Sequence, residues 1–123
     1  ITSISSEAFK NCYGLIDLTL PKNLKSIDTA AFKNCKNLKS VFIPKTVTTI
    51  GTQAFSLDLT SDSFTRIYSL ENIYFGGNSE EWAKVEWKQK EDYSSIVSFY
   101  SETEPTTAGN FWHYVNGKPA AWN

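Results

Sequence analysis

The chain has 123 residues, a single-domain length, with 12 Lys and Arg against 13 Asp and Glu and a net charge of −1. Neither part concentrates one sign: residues 1–77 carry 8 basic and 6 acidic side chains and the remainder 4 and 7, so a nucleic-acid binder's basic footprint is missing. No apolar run approaches the roughly 18 residues that a membrane-spanning helix needs.

The first 77 residues are periodic. AFKNC stands at 8–12 and again at 31–35. Around it Ile4, Ala8, Phe9, Cys12, Leu15, Leu18, Leu20 and Pro21 recur 23 positions later as Ile27, Ala31, Phe32, Cys35, Leu38, Val41, Ile43 and Pro44. A third copy opens with Val47, Ile50, Gly51, Ala54 and Phe55, then slips by nine residues before resuming at Leu70, Ile73 and Phe75. The recurring residues are apolar and the intervening ones polar. That is the pattern of stacked coils in which each unit buries an edge only against its neighbour.

Within one unit, Leu18 and Leu20 alternate with Asp17 and Thr19, which predicts a half-buried strand. Pro21 and Pro44 lack an amide donor, so each strand ends there and the chain turns. Leu24-x-x-Ile27 predicts a second short extended run. The Ala-Phe segment after Ser26 or Asp28 reads as a single helical turn. Phe9, Phe32 and Phe55 are expected to stack as one column in the core, the first two supported by Cys12 and Cys35. Side chains in one column point the same way, so the cysteines read as buried free thiols, with a disulfide as the alternative. Residues 56–69 replace the expected Lys-Asn-Cys segment with a longer stretch, read as a loop on one rim.

After Gly76-Gly77 the composition changes, and all four tryptophans and the sole histidine lie in this tail. Asn78 with Glu81 three residues on predicts a capped helix start. Ile96, Val97, Phe99 and Tyr100 suggest a strand, Thr103 to Asn110 a polar linker. Asn116-Gly117 between two extended runs signals a two-residue hairpin turn, with Pro119 placing the returning strand at an edge.

The recurring pattern, L-x-x-I-x-L/I-P-x-x-L/V-x-x-I-x-x-x-A-F-x-x-C, resembles the BspA-like leucine-rich repeat of bacterial surface proteins. The segments Tyr74 to Trp82 and Trp112 to Trp122 resemble the aromatic pieces with which such proteins often finish. The resemblance implies a right-handed leucine-rich repeat solenoid of short strands and short helical turns at 1–77, and a small α+β C-terminal cap at 78–123. It also implies a secreted or cell-surface setting and a role in adhesion or protein recognition. Ile1 aligns with the middle of a repeat, so the chain reads as a fragment whose upstream repeats are absent.

Catalysis needs a base held against a nucleophile or a carboxylate pair. His113 is the only imidazole and no third residue is spaced to orient it. Cys12 and Cys35 sit at core positions, where a thiol stays protonated, and two thiols with one distant histidine do not make a metal set. The expectation is a non-enzyme without cofactor or metal, working through its surface.

Two surfaces stand out. On the strands, Asp17, Ser40 and Asn72 form one outward column, and Thr19, Phe42 and Tyr74 the next. The aromatic pair on a polar ribbon is the candidate contact strip for a host or bacterial surface protein, although aromatics also pair across strands with no ligand. In the tail, Trp112, Tyr114 and Trp122 are a candidate platform for cell-wall glycan, since the hairpin resembles cell-wall-binding aromatic repeats. The plainer reading makes those aromatics a cover for the last apolar face. The loop around Asp58 to Tyr68 is a further candidate.

Overall fold

The computed structural model describes residues 2–57, 69–88, 90–103, 105 and 109–122; the loop candidate at 58–68 lies outside them. The elements, in order, are β1 (Ser3–Ile4), β2 (Asp17–Thr19), β3 (Ser26–Ile27), β4 (Ser40–Ile43), β5 (Thr49–Ile50), β6 (Asn72–Phe75), α1 (Ser79–Ala83), a 3-10 helix (Lys90–Ile96), β7 (Val97–Tyr100), β8 (Phe111–Val115) and β9 (Lys118–Ala121).

The 23-residue period becomes strand register. β1, β3 and β5 form a narrow parallel sheet in which Ile4, Ile27 and Ile50 are aligned. β2, β4 and β6 begin a second, wider parallel sheet, with Leu18, Val41 and Ile73 aligned. The nine-residue slip appears as the step from Ser40 to Asn72. These aligned aliphatics face one another across the space between the sheets and form the core with Leu24, Leu38, Val47 and Leu70. Pro21 and Pro44 start the corners: their carbonyls accept from Leu24 and Val47 N–H at 3.1 Å each.

The third side of each coil differs from the helical turn that its Ala-Phe pattern suggests. It is a run of tight turns. Glu7, Ala30 and Gln53, one period apart, take left-handed φ values of 60°, 57° and 62°, and Asn11 and Asn34 take 63° and 59°. Alternate amides bond in two directions. Ala31 and Lys33 N–H donate three residues back, to Asp28 and Ala30. Between them Ala30, Phe32 and Asn34 N–H donate to Thr52, Ala54 and Ser56 of the next coil at 3.0, 2.8 and 2.7 Å. A helix spends its amides on its own carbonyls and would leave the coils unjoined on this side. The turns join them.

The phenylalanine column is present but only partly in the core: Phe32 and Phe55 are buried, whereas Phe9 is 42% exposed. Phe9 and Phe32 stack with ring centroids 5.2 Å apart and planes 5° from parallel, and Phe32 and Phe55 at 5.4 Å and 2°. Trp87 closes its lower end, edge-on to Phe55 at 6.0 Å and stacked on Tyr93 at 4.3 Å. Cys12 and Cys35 are free thiols, and Cys35 Sγ donates to the Phe9 carbonyl at 3.2 Å.

The tail continues the same winding. Asn78 caps α1 through a reciprocal pair with Glu81: the Asn78 side chain accepts from Glu81 N–H at 2.9 Å, and Glu81 Oε1 accepts from Asn78 N–H at 3.1 Å. Lys90 Nζ donates to the carbonyl of Trp82 in the last turn of α1 and to that of Val85 just past it, where a cation is favoured. Glu86 pairs with Thr49 beside the narrow sheet. β7 and β8 then extend the wide sheet in parallel, giving the order β2-β4-β6-β7-β8-β9, and only β9 runs antiparallel. The sheet therefore passes residue 77 without a break.

Candidate functional site

The face of the wide sheet turned away from the core carries the residues singled out as a candidate site. Register places Asp17 beside Ser40 and Asn72, and Thr19 beside Phe42, Tyr74 and Ser98. By the same alternation Tyr100, Trp112 and Tyr114 share this face. The last strands curl back far enough for Trp112 of β8 to reach Phe42 of β4, with rings 5.7 Å apart and 82° between planes. Trp112 meets Tyr74 at the same centroid distance and Tyr100 at 5.0 Å. Ser98, aligned with Tyr74, is the small residue on this face of β7. The Trp112 indole N–H donates to the Phe75 carbonyl at 2.7 Å. Gly76 makes room for Phe42: a Cβ there would lie 3.2 Å from the Phe42 ring.

This second aromatic cluster changes the status of both sequence-derived surfaces. Phe42, expected as an exposed contact, is 8% exposed because Trp112 lies on it. Tyr74 is half-buried. Trp112, expected as part of a platform, is fully buried at 0%. Tyr114 lies on the same face as Trp112 and is 47% exposed. Trp122 follows β9 on the opposite face, where it stacks on His113 at 3.7 Å and donates its indole N–H to the Ser101 carbonyl. The three residues do not make one plane, because strand alternation sends Trp122 the other way.

What remains open on this face is a cavity of about 350 Å³ between the first strands and the returning hairpin. Asp17, Leu18, Thr19, Ser40, Phe42 and Tyr74 form one wall, and Lys118 and Pro119 the other. Five of the six strand residues singled out from sequence thus line one space. Asn72 neighbours Ser40 but is not part of the lining. Ser40 Oγ donates to Asp17 Oδ1 and orients the carboxylate. Burial pushes the Tyr74 hydroxyl above its usual range, and the charge of Asp17 adds to the shift. Lys118 and Pro119 were not readable as site residues, because their place depends on the curl of the sheet and on no local pattern.

A larger, more open cavity of about 410 Å³ borders the narrow sheet, lined by Asp28, Thr29, Thr49, Gly51 and Glu86 among others. It lacks an aromatic surface apart from buried Trp87. Among the described residues no three His, Cys, Asp or Glu side chains gather as a metal set, and no helix is long and apolar enough to cross a membrane.

No curated protein and no solved structure matches the chain. One family does, described as a BspA type leucine-rich repeat region (6 copies), over residues 1–81. That span contains every repeat whose register is described above and reaches into α1. The chain belongs to the BspA-type leucine-rich repeat family.

Proposed function

We propose that this chain is a non-catalytic binding module of a secreted or cell-surface protein, recognising a protein partner through the cavity between its first strands and the hairpin. The observation that carries the reading is the lining itself. An oriented carboxylate, a tyrosine hydroxyl and a lysine surround aromatic surface, the mixture of few polar groups on an apolar floor that binding sites use. The parallel strands β2, β4 and β6 hold the carboxylate and the tyrosine, and the antiparallel β9 holds the lysine. Family membership supports a protein-interaction role and a cell-surface setting.

The test is binding of the chain to purified host matrix proteins, to bacterial surface proteins and to insoluble cell wall. Thr19→Trp fills the cavity from an exposed edge position, and Trp122→Ala alters the opposite hairpin face. A protein signal lost in T19W and kept in W122A supports the reading. A cell-wall signal lost only in W122A moves recognition to the glycan alternative, on the hairpin face that carries Trp122. Binding to none of these leaves a purely structural terminator of the repeats.

A further inference from the structure

The charges in the cavity are not satisfied by one another. Asp17 and Lys118 line the same space, yet no ion pair joins them among the described residues. Asp17 spends Oδ1 on Ser40, and no described partner takes its other oxygen. Tyr74, between Asp17 and the aromatic cluster, likewise has no described hydrogen bond on its hydroxyl. We infer that the cavity takes a basic side chain, arginine in first place, presented by a protein partner, with its charged head at Asp17 and its stem along Phe42 and Tyr74. The inference rests on the reading of this cavity as the partner-binding surface.

Two observations favour a basic side chain over a sugar. Asp17 and Tyr74 line the same cavity, close enough that the Asp17 charge adds to the upward push that burial gives the Tyr74 hydroxyl. A negative pole beside an electron-rich ring is the setting in which a guanidinium is held, by paired hydrogen bonds and by the ring face. The second observation concerns the rings. Stacking a sugar needs an open aromatic face, whereas Phe42 is nearly buried and both Phe42 and Tyr74 are packed edge-to-face on Trp112. Lys118, on the opposite wall, is left to meet an acidic neighbour of the inserted residue.

The experiment is an amide-resolved NMR titration of the intact chain with capped Gly-Arg-Gly, with capped Gly-Glu-Gly and with triacetylchitotriose. The arginine peptide is expected to give saturable shifts at residues 17–19, 40–42 and 74. Asp17→Asn preserves an acceptor for Ser40 and removes the charge, and it should weaken binding about tenfold, the loss of one charge-assisted pair. Lys118→Met should not weaken it. Equal shifts from the glutamate peptide, shifts at the same amides from the sugar alone, or binding undiminished in D17N would overturn the assignment. If the arginine peptide fails while T19W still abolishes a protein partner, the basic-side-chain assignment falls and the cavity remains the contact site. If T19W also leaves that partner bound, both fall.

Discussion

The indole N–H of Trp112 donates to the backbone carbonyl of Phe75, 37 residues earlier, across 2.7 Å in a fully buried setting. This bond fastens β8 to β6 over the top of β7 and holds the outward aromatic cluster in place. Trp112→Ala should therefore cost about 3–5 kcal/mol, the range for truncating a large buried aromatic. Trp112→Phe keeps much of the ring and loses the bond, so about 1–3 kcal/mol is expected. Urea unfolding of the three proteins checks this. A Trp112→Ala variant as stable as the parent would mean that the hairpin does not pack on the strands.

Gly51 is needed by the neighbouring coil. A Cβ built there would lie 2.3 Å from the Thr29 backbone nitrogen and 2.6 Å from the Asp28 carbonyl carbon. Neither can move aside as a flexible side chain does, and the Gly51 N–H is itself bonded to the Ile27 carbonyl at 2.7 Å. Gly51→Ala should destabilise by about 3 kcal/mol through overpacking. At Gly14 a Cβ meets nothing within 4 Å, so Gly14→Ala should stay within about 0.5 kcal/mol. Thermal melts of the pair separate the two cases.

The repeat register was open to reading because it depends on spacing alone. A 23-residue offset between apolar letters becomes the pairing of Ile4 with Ile27 and of Leu18 with Val41, and the phenylalanine column follows from the same arithmetic. The turns on the third side were hidden for a physical reason. Glu7, Ala30 and Gln53 adopt left-handed φ without being glycine or asparagine, and Ala-Phe spacing suits a helical turn equally well. The candidate site was half legible. Its strand wall comes from columns, which period and alternation supply. The cover by Trp112 and the second wall at Lys118 and Pro119 come from curl, which accumulates over strands and leaves no mark in a short window.

The hairpin that supplies that second wall depends on its turn. Asn116 and Gly117 both have positive φ, 53° and 79°, as a two-residue turn matched to strand twist requires. Gly117→Val should destabilise the hairpin by about 1–2 kcal/mol, the cost of forcing a side chain into left-handed backbone, although nothing lies within 4 Å of the new Cβ. Asn116→Gly should be close to neutral. Hydrogen exchange at β8 and β9 amides reads the effect locally. Unchanged protection in G117V would show that the turn does not determine the pairing.

The two thiols should behave differently although the repeat writes them identically. Cys12 is half-buried, while Cys35, one repeat later, is buried. Burial pushes the Cys35 thiol above its ordinary value, and a backbone hydrogen bond from Cys12 opposes this without cancelling it. Since the thiolate is the nucleophile, iodoacetamide at mildly alkaline pH should label Cys12 well before Cys35, read by peptide mass spectrometry; equal rates would contradict the burial. The same shift links stability to pH. With the folded pKa above the unfolded one, the native state holds a proton that the unfolded chain has released between the two values, so stability falls as pH rises through that window. The contribution is complete below the unfolded value and gone above the folded one. Urea midpoints should therefore decline from about pH 8.5 upward, and Cys35→Ala, though less stable at neutral pH, should decline less. Tyr74, raised in the same direction, should supply a remaining decline from about pH 10, smaller in Tyr74→Phe.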